Sequence, residues 1–179
     1  MQPKSSFKRY AFKLAARITI ALILMLIPFN IFYFLFLKPT IYSTMPLYSG
    51  LIREIGGDFI IIKYYKLNFV KACIASSAYY LLAILILLTK GMNIKKAVYI
   101  FLLGTFILFA GNLVRINFLI FILLSYGKNF FEEFHIIIWE FLSTIFVFLT
   151  WILLIRIFKI KKIPVYSDIE YLIFKIKNA

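Results

Sequence analysis

Cys73, Arg115 and His135 are the residues of this chain whose types, taken together, suit covalent chemistry. A deprotonated thiol is a nucleophile, an imidazole takes and returns a proton near neutrality, and a cationic donor steadies the oxyanion formed when a carbonyl is attacked. The cysteine and the histidine are each the only one in the sequence, and Arg115 interrupts a stretch, Leu103 to Leu124, that is otherwise almost wholly apolar. Asn112, three residues before Arg115, shares its face of a helix.

Each of these residues also has an ordinary reading. A lone cysteine in an apolar run is usually an inert small hydrophobe. An arginine at a helix end snorkels to the headgroups, and a histidine at a membrane interface needs no role. Neighbours argue for more. Lys71 precedes Cys73, and an apolar run from Cys73 to Thr89 predicts a helix starting at the thiol, where the helix dipole and the cation lower its pKa. Ser76, Ser77 and Tyr80 continue a polar stripe below it, or serve helix packing through small residues. Glu132 and Glu133 precede His135 and Glu140 follows it, so a carboxylate neighbour is at hand for the imidazole. At a helix centre in lipid an arginine costs about 2.5–3.5 kcal/mol, so a buried partner is expected for Arg115.

Composition sets the medium in which these groups are held. Of the 179 residues 64% are hydrophobic and the mean hydropathy is +0.96, against roughly 45–50% apolar in a soluble domain. A chain of this size cannot hide that much apolar surface in one core, so lipid is the expected solvent and a single membrane domain the expected organisation. The net charge of +14 does not signal nucleic-acid binding. Its basic residues gather before the first apolar run (Lys4, Lys8, Arg9, Lys13, Arg17), in one loop (Lys90, Lys95, Lys96) and after the last run (Arg156, Lys159, Lys161, Lys162, Lys175, Lys177), as cytoplasmic flanks do. One cysteine excludes an intramolecular disulfide and a cysteine metal cage, and no metal or organic cofactor is called for. The first apolar run reads as a retained signal anchor.

About 20 apolar residues cross a bilayer. Ile18 to Leu37, with a kink expected at Pro28, Cys73 to Thr89, Ala97 to about Val114, and Ile136 to Ile155, with Trp139 and Trp151 near its ends, give an all-α polytopic, multi-pass membrane protein of about four spanning helices. Ile116 to Tyr126 is too short to span and reads as a re-entrant or interfacial helix, the alternative being a five-span chain with a tilted fourth helix, which places the C-terminus outside. Residues 1–17 and the tail 163–179 fall on the cytoplasmic side, and Lys38 to Ala72 outside. There Gly56-Gly57-Asp58 signals a turn, and the β-branched and aromatic run Phe59 to Phe69 predicts a small extracytoplasmic β-like ribbon, with an ordered interfacial loop as the alternative. This topology brings Cys73, Arg115 and His135 to one depth on the outer side.

Three stretches in this order, FVKACIASSAYYLL (Phe69 to Leu82), GNLVRI (Gly111 to Ile116) and FHIIIWEFLS (Phe134 to Ser143), resemble the exosortase/archaeosortase family of prokaryotic membrane enzymes. The resemblance covers about residues 42–158. It implies a thiol protease-transpeptidase that cleaves C-terminal sorting signals of exported, membrane-anchored proteins at the outer face of the cell membrane and passes them to an acceptor. By motif, Cys73 is then the nucleophile, His135 the general acid/base, Arg115 the oxyanion or substrate-positioning group, and Asn112 its support. Many relatives carry Ser or Thr and then Gly after the cysteine, where this chain has Ile74 and Ala75. The competing class is a non-enzymatic membrane scaffold or subunit, in which Arg115, Asn112 and Glu140 are inter-helix contacts. A small transporter ranks last, because no continuous ionisable path lines the apolar runs.

Overall fold

The computed structural model describes residues 12, 14–23, 30–89, 92–138 and 143–160. In chain order these form α1 (Leu14–Ile23), α2 (Asn30–Tyr48), the strands β1 (Ile52–Ile55), β2 (Phe59–Ile62) and β3 (Tyr65–Asn68), then α3 (Ser76–Leu88), α4 (Ile94–Tyr126), α5 (Lys128–Ile137) and α6 (Ser143–Ile157).

The four-span architecture expected from hydropathy is corrected by these elements. Among the described helices only α4 is long and apolar enough to cross a membrane. α3 has 13 residues and α6 has 15, about 20 and 22 Å at 1.5 Å per residue, short of a hydrocarbon core of roughly 30 Å. Ala97–Val114 and Ile116–Tyr126, a span and a separate short piece by hydropathy, are one helix of 33 residues. Arg115 does not break it, because its charge is satisfied by partners off the helix. Asn93 caps its start, accepting from the Lys95 N–H, and Gly127 at φ 87 ends it. At about 50 Å it exceeds the hydrocarbon thickness.

The other ends of the expected spans move as well. The chain does not leave the helix at Lys38, since α2 runs on to Tyr48 with Pro39 and Pro46 inside it. Residues 24–29, with Pro28 and its expected kink, lie outside the described residues. Of the expected last span the structure describes the end of α5 at Ile137, Ile138 and α6 from Ser143 on, while residues 139–142, with Trp139 and Glu140, fall outside the described residues. Trp151 is buried in the core and does not serve as an interfacial anchor.

Between α2 and α3 lies a three-stranded antiparallel sheet of order β1-β2-β3. Gly56 to Asp58 make the first turn, and Lys63-Tyr64, with Lys63 at φ 53, make the second. Strand alternation gives the sheet two faces. Ile60 and Ile62 are fully buried on one, against Leu37 and Ile41 of α2 and Ile116 and Ile120 of α4. Lys66 and Asn68 point to the other and are exposed. A second core joins α3, α4 and α6 through Tyr79, Leu82, Ile100, Leu108, Trp151 and Leu154. Tyr79 also stacks on Phe36 of α2, with ring centroids 4.3 Å apart.

The end of the bundle remote from the sheet is basic. Arg17 donates to the Leu88 carbonyl at 3.3 Å, and Lys96 Nζ to the Phe158 carbonyl at 2.7 Å. Less than half of the most apolar stretch of α4 is covered by the rest of the chain. Val98, Leu102, Phe106, Val114, Phe118 and Phe121 stand exposed on it, where a helix facing water would be polar. This surface supports association with a membrane.

Candidate active site

The sheet hands the chain to α3 through consecutive tight turns. The Cys73 N–H donates to the Val70 carbonyl at 2.9 Å, and the Ser76 N–H to the Lys71 carbonyl at 3.3 Å. Ala75 closes the segment in the left-handed region, at φ 57 and ψ 35, and caps α3 without a side-chain hydrogen bond. Cys73 therefore does not begin a helix, as its apolar context suggests. It lies three residues before Ser76, the first residue of α3. The expected helix-dipole effect on the thiol is lost with that placement. Burial pushes the Cys73 thiol up from its ordinary value, while the Val70 main-chain N–H and the Arg115 charge pull it back only in part. Its Sγ donates to the Asn68 carbonyl at 3.8 Å, a contact that also favours the protonated thiol.

Arg115 and Asn112 project from α4 onto this turn. Arg115 Nη2 donates to the carbonyls of Ala72 at 2.8 Å and Cys73 at 3.0 Å, and Asn112 Nδ2 donates to the same Cys73 carbonyl at 2.9 Å. Arg115 Nη1 reaches Ser143 Oγ at 3.0 Å, and Ser143 Oγ donates to the Ile138 carbonyl at 3.1 Å. One guanidinium thus ties the cysteine turn, α4 and the start of α6. Hydrogen bonds to a charged group contribute about 1.5–3 kcal/mol each, which offsets the cost of holding the cation in apolar surroundings. Two polar atoms at this centre, Arg115 Nε and Asn112 Oδ1, are buried without a partner among the described residues.

His135 is placed differently from the expectation that it opens the last helix. It sits in the last turn of α5, stacked on Phe131 with centroids 5.6 Å apart and planes at 16°. It hydrogen-bonds to neither Cys73 nor Arg115 in this conformation. Burial first, and then the Arg115 charge, hold its imidazole below the ordinary histidine value, so it is neutral at pH 7. Of the four residues singled out by sequence, Cys73, Asn112 and Arg115 are thus in direct contact, and His135 is within electrostatic reach.

A cleft of about 320 Å³ opens beside this centre, between α3 and α6, lined by Ala72, Ser77, Arg115, Ser143, Thr144 and Val147 among others. A smaller cavity of about 60 Å³ adjoins it, over Asn112, Gly111 and Phe146. Ser143 is the residue the sequence reading does not single out. A lone serine at a helix start carries no signal of its own, and only the fold brings it to Arg115.

Compared with protein-family models, curated proteins and solved structures, the chain matches none of them.

Proposed function

We propose that this chain is a cysteine protease-transpeptidase of the cell membrane, of the exosortase/archaeosortase kind, cleaving the C-terminal sorting signals of exported, membrane-anchored proteins at the extracytoplasmic face. The observation that carries it is the grip of Arg115 and Asn112 on the Cys73 peptide, beside an open cleft. A structural arginine needs no thiol at that spot, and an inert thiol needs no cation. The sidedness is supported by Arg17, Lys96 and Arg156, which belong to the helix ends remote from the sheet, as cytoplasmic flanks require.

In this scheme the thiol is neutral at rest and is activated during attack. Neutral His135 takes the thiol proton as Sγ bonds to the scissile carbonyl carbon. The negative charge that develops on the carbonyl oxygen is drawn to Arg115, whose buried Nε–H has no partner among the described residues. Collapse of the tetrahedral adduct breaks the C–N bond, and the departing amine takes the proton from His135. The thioester on Cys73 is then resolved by an acceptor amine or by water. α5 must bring His135 onto the thiol when substrate binds.

The test is the rate of Cys73 labelling by a membrane-impermeant thiol reagent in oriented vesicles, followed across pH. Labelling from the extracytoplasmic side is expected, with a midpoint above the free thiol value of about 8.5. That midpoint moves further up in Arg115→Met, where the stabilising cation is gone. Labelling from the cytoplasmic side alone, or none at any pH, overturns the proposal.

A second reading is a non-catalytic membrane scaffold, and one observation favours it. Both Nη atoms of Arg115 are engaged in holding elements together. On that reading Cys73→Ala assembles and functions normally in cells, whereas the transpeptidase loses all processing.

A further inference from the structure

We infer that the free edge of β3 takes up an extended, acidic protein segment as a fourth strand running up to Cys73. The pairing stands on the sheet alone, and its delivery to the thiol rests on the reading of Cys73 as nucleophile.

The register of the sheet decides which main-chain groups are free. β2 and β3 pair as Ile62 with Tyr65 across a two-residue turn and as Ile60 with Leu67, and the Phe69 N–H continues the ladder to the Asp58 carbonyl at 2.7 Å. Hydrogen-bonded pairs alternate along an antiparallel ladder. Tyr65, Leu67 and Phe69 therefore turn their N–H groups inward to β2, and Lys66 and Asn68 turn their N–H and C=O groups outward. Among the described residues no element other than β2 lies along β3. The opposite edge, β1, is interrupted by a register shift between Ile52 and Glu54, and such a bulge blunts an edge against pairing. β3 has no such defect.

One of these outward groups already meets the candidate nucleophile. Asn68 C=O is the acceptor of Cys73 Sγ at 3.8 Å. An N–H from an added strand makes a stronger bond to that carbonyl than a thiol does. Strand addition therefore removes the contact that favours the protonated thiol and leaves an extended main chain beside Sγ. Main-chain pairing supplies affinity in this mode, and side chains opposite the edge supply selectivity. Lys66, exposed on the open face, and Lys71, exposed just past the strand, are the charges that line this edge. Glu54 belongs to β1, across the sheet, and Asp58, whose carbonyl pairs with the Phe69 N–H, stands one strand in from the edge. Lys66 Nζ rests over the Phe59 ring at 4.2 Å, and a carboxylate on the added strand offers it a better partner.

The experiment uses the full chain in zwitterionic phosphatidylcholine nanodiscs and fluorescent octapeptides alternating glutamate with valine, their lysine counterparts, and the glutamate peptide N-methylated at either set of alternate residues. The glutamate peptide is expected to bind at least tenfold more tightly than the lysine peptide. One N-methylated register loses binding and the other keeps it, because only one set of N–H groups faces the edge. Lys66→Pro removes an outward N–H while sparing the β2 ladder, and costs tenfold or more. Lys66→Glu, which leaves the main chain intact, reverses the preference between the two peptides. Equal binding of both peptides, indifference to N-methylation in both registers, or no binding at all overturns the inference; the last outcome means that Lys66 guards the edge. Cys73→Ala frees the Asn68 carbonyl for the added strand, so it is expected to tighten peptide binding whether or not the chain is an enzyme, and a tenfold loss overturns the inference. Peptide binding that leaves Cys73 labelling unaltered overturns delivery to the thiol while the pairing stands.

Discussion

The helical core around Tyr79, Leu82, Ile100 and Leu154 and the sheet-backed core around Ile60, Ile62, Ile74 and Ile120 meet along one helix, α4. They bury apolar surface by different means. In the first, helices pack on one another and keep their outward faces apolar, with Leu102, Phe106, Phe148, Leu149 and Leu153 exposed. In the second, strand alternation separates the faces, so that Ile60 and Ile62 are buried while Lys66 and Asn68 are open. The helix faces suit lipid, and the open face of the sheet suits water or headgroups. Asn112 and Arg115 fall between Leu108, the last α4 residue in the helical core, and Ile116, the first in the sheet-backed one. A buried cation is tolerable at that seam because the turn leaving the sheet supplies main-chain carbonyls that neither core can use.

Removing the cation breaks the seam and carries the largest expected effect. Arg115→Met leaves the Ala72 carbonyl and the Ser143 hydroxyl without the guanidinium donor and the Cys73 carbonyl with Asn112 alone. At about 1.5–3 kcal/mol for each hydrogen bond to a charged group, the loss is about 3 kcal/mol or more. Thermal unfolding in mild detergent should show it as a large drop in Tm. Arg115→Lys should recover only a part, because an ammonium lacks the planar fork that reaches both sides. A neutral Arg115→Met means that the two cores hold together without the seam.

The cores should also differ in their tolerance of added volume. A Cβ on Gly104 meets Leu82 at 2.7 Å and Leu154 at 2.8 Å, whereas one on Gly57, in the first turn of the sheet, meets nothing within 4 Å. Overpacking costs about 1–3 kcal/mol. Gly104→Val should therefore destabilise by that order and Gly57→Ala by less than about 0.5 kcal/mol, read by the same unfolding assay. Equal effects at both positions remove the distinction between a tight helical core and an open sheet turn.

What the sequence makes legible follows the same division. The sheet announces itself locally, through Gly56-Gly57-Asp58 and the β-branched run after it, because turns and alternation are short-range. The helical half does not, since apolar runs give spans only when each run is one helix in lipid. α4 looks interrupted at Arg115 because the partners that satisfy it lie 42 and 43 residues away. Asn112 and Arg115 can be paired from spacing alone, but their target, the Cys73 carbonyl, cannot. The start of α3 is misplaced because the turn before it closes on a left-handed alanine, a conformation that alanine sequences do not signal.

Ala75 sharpens that last point at a smaller scale. A left-handed conformation costs a residue with a Cβ roughly 1–2 kcal/mol, and glycine gives back part of that as chain entropy. Ala75→Gly should therefore raise stability by about 0.5–1 kcal/mol. Ala75→Val should lower stability, since a β-branched side chain is an outlier in this region. A loss of stability in Ala75→Gly means that the Ala75 methyl, which lines the cleft, contributes more by packing than it costs in strain.

The smallest effect concerns His135, at the sheet-free margin of the site. Burial and the Arg115 charge hold its folded-state pKa below the ordinary value of 6.5. At low pH the unfolded chain binds a proton that the folded chain resists. The contribution of His135 is therefore fully present above the ordinary value and is lost as pH falls from there through the lowered folded value. Denaturant unfolding of the wild type from pH 8 to pH 5 should show a decline in stability below about pH 6.5 that His135→Gln reduces. Because the cation contributes to the shift, Lys at position 115 should keep most of the decline and Met should weaken it. An identical pH slope in wild type and His135→Gln means that the imidazole does not feel the seam, and α5 then has no electrostatic link to Cys73.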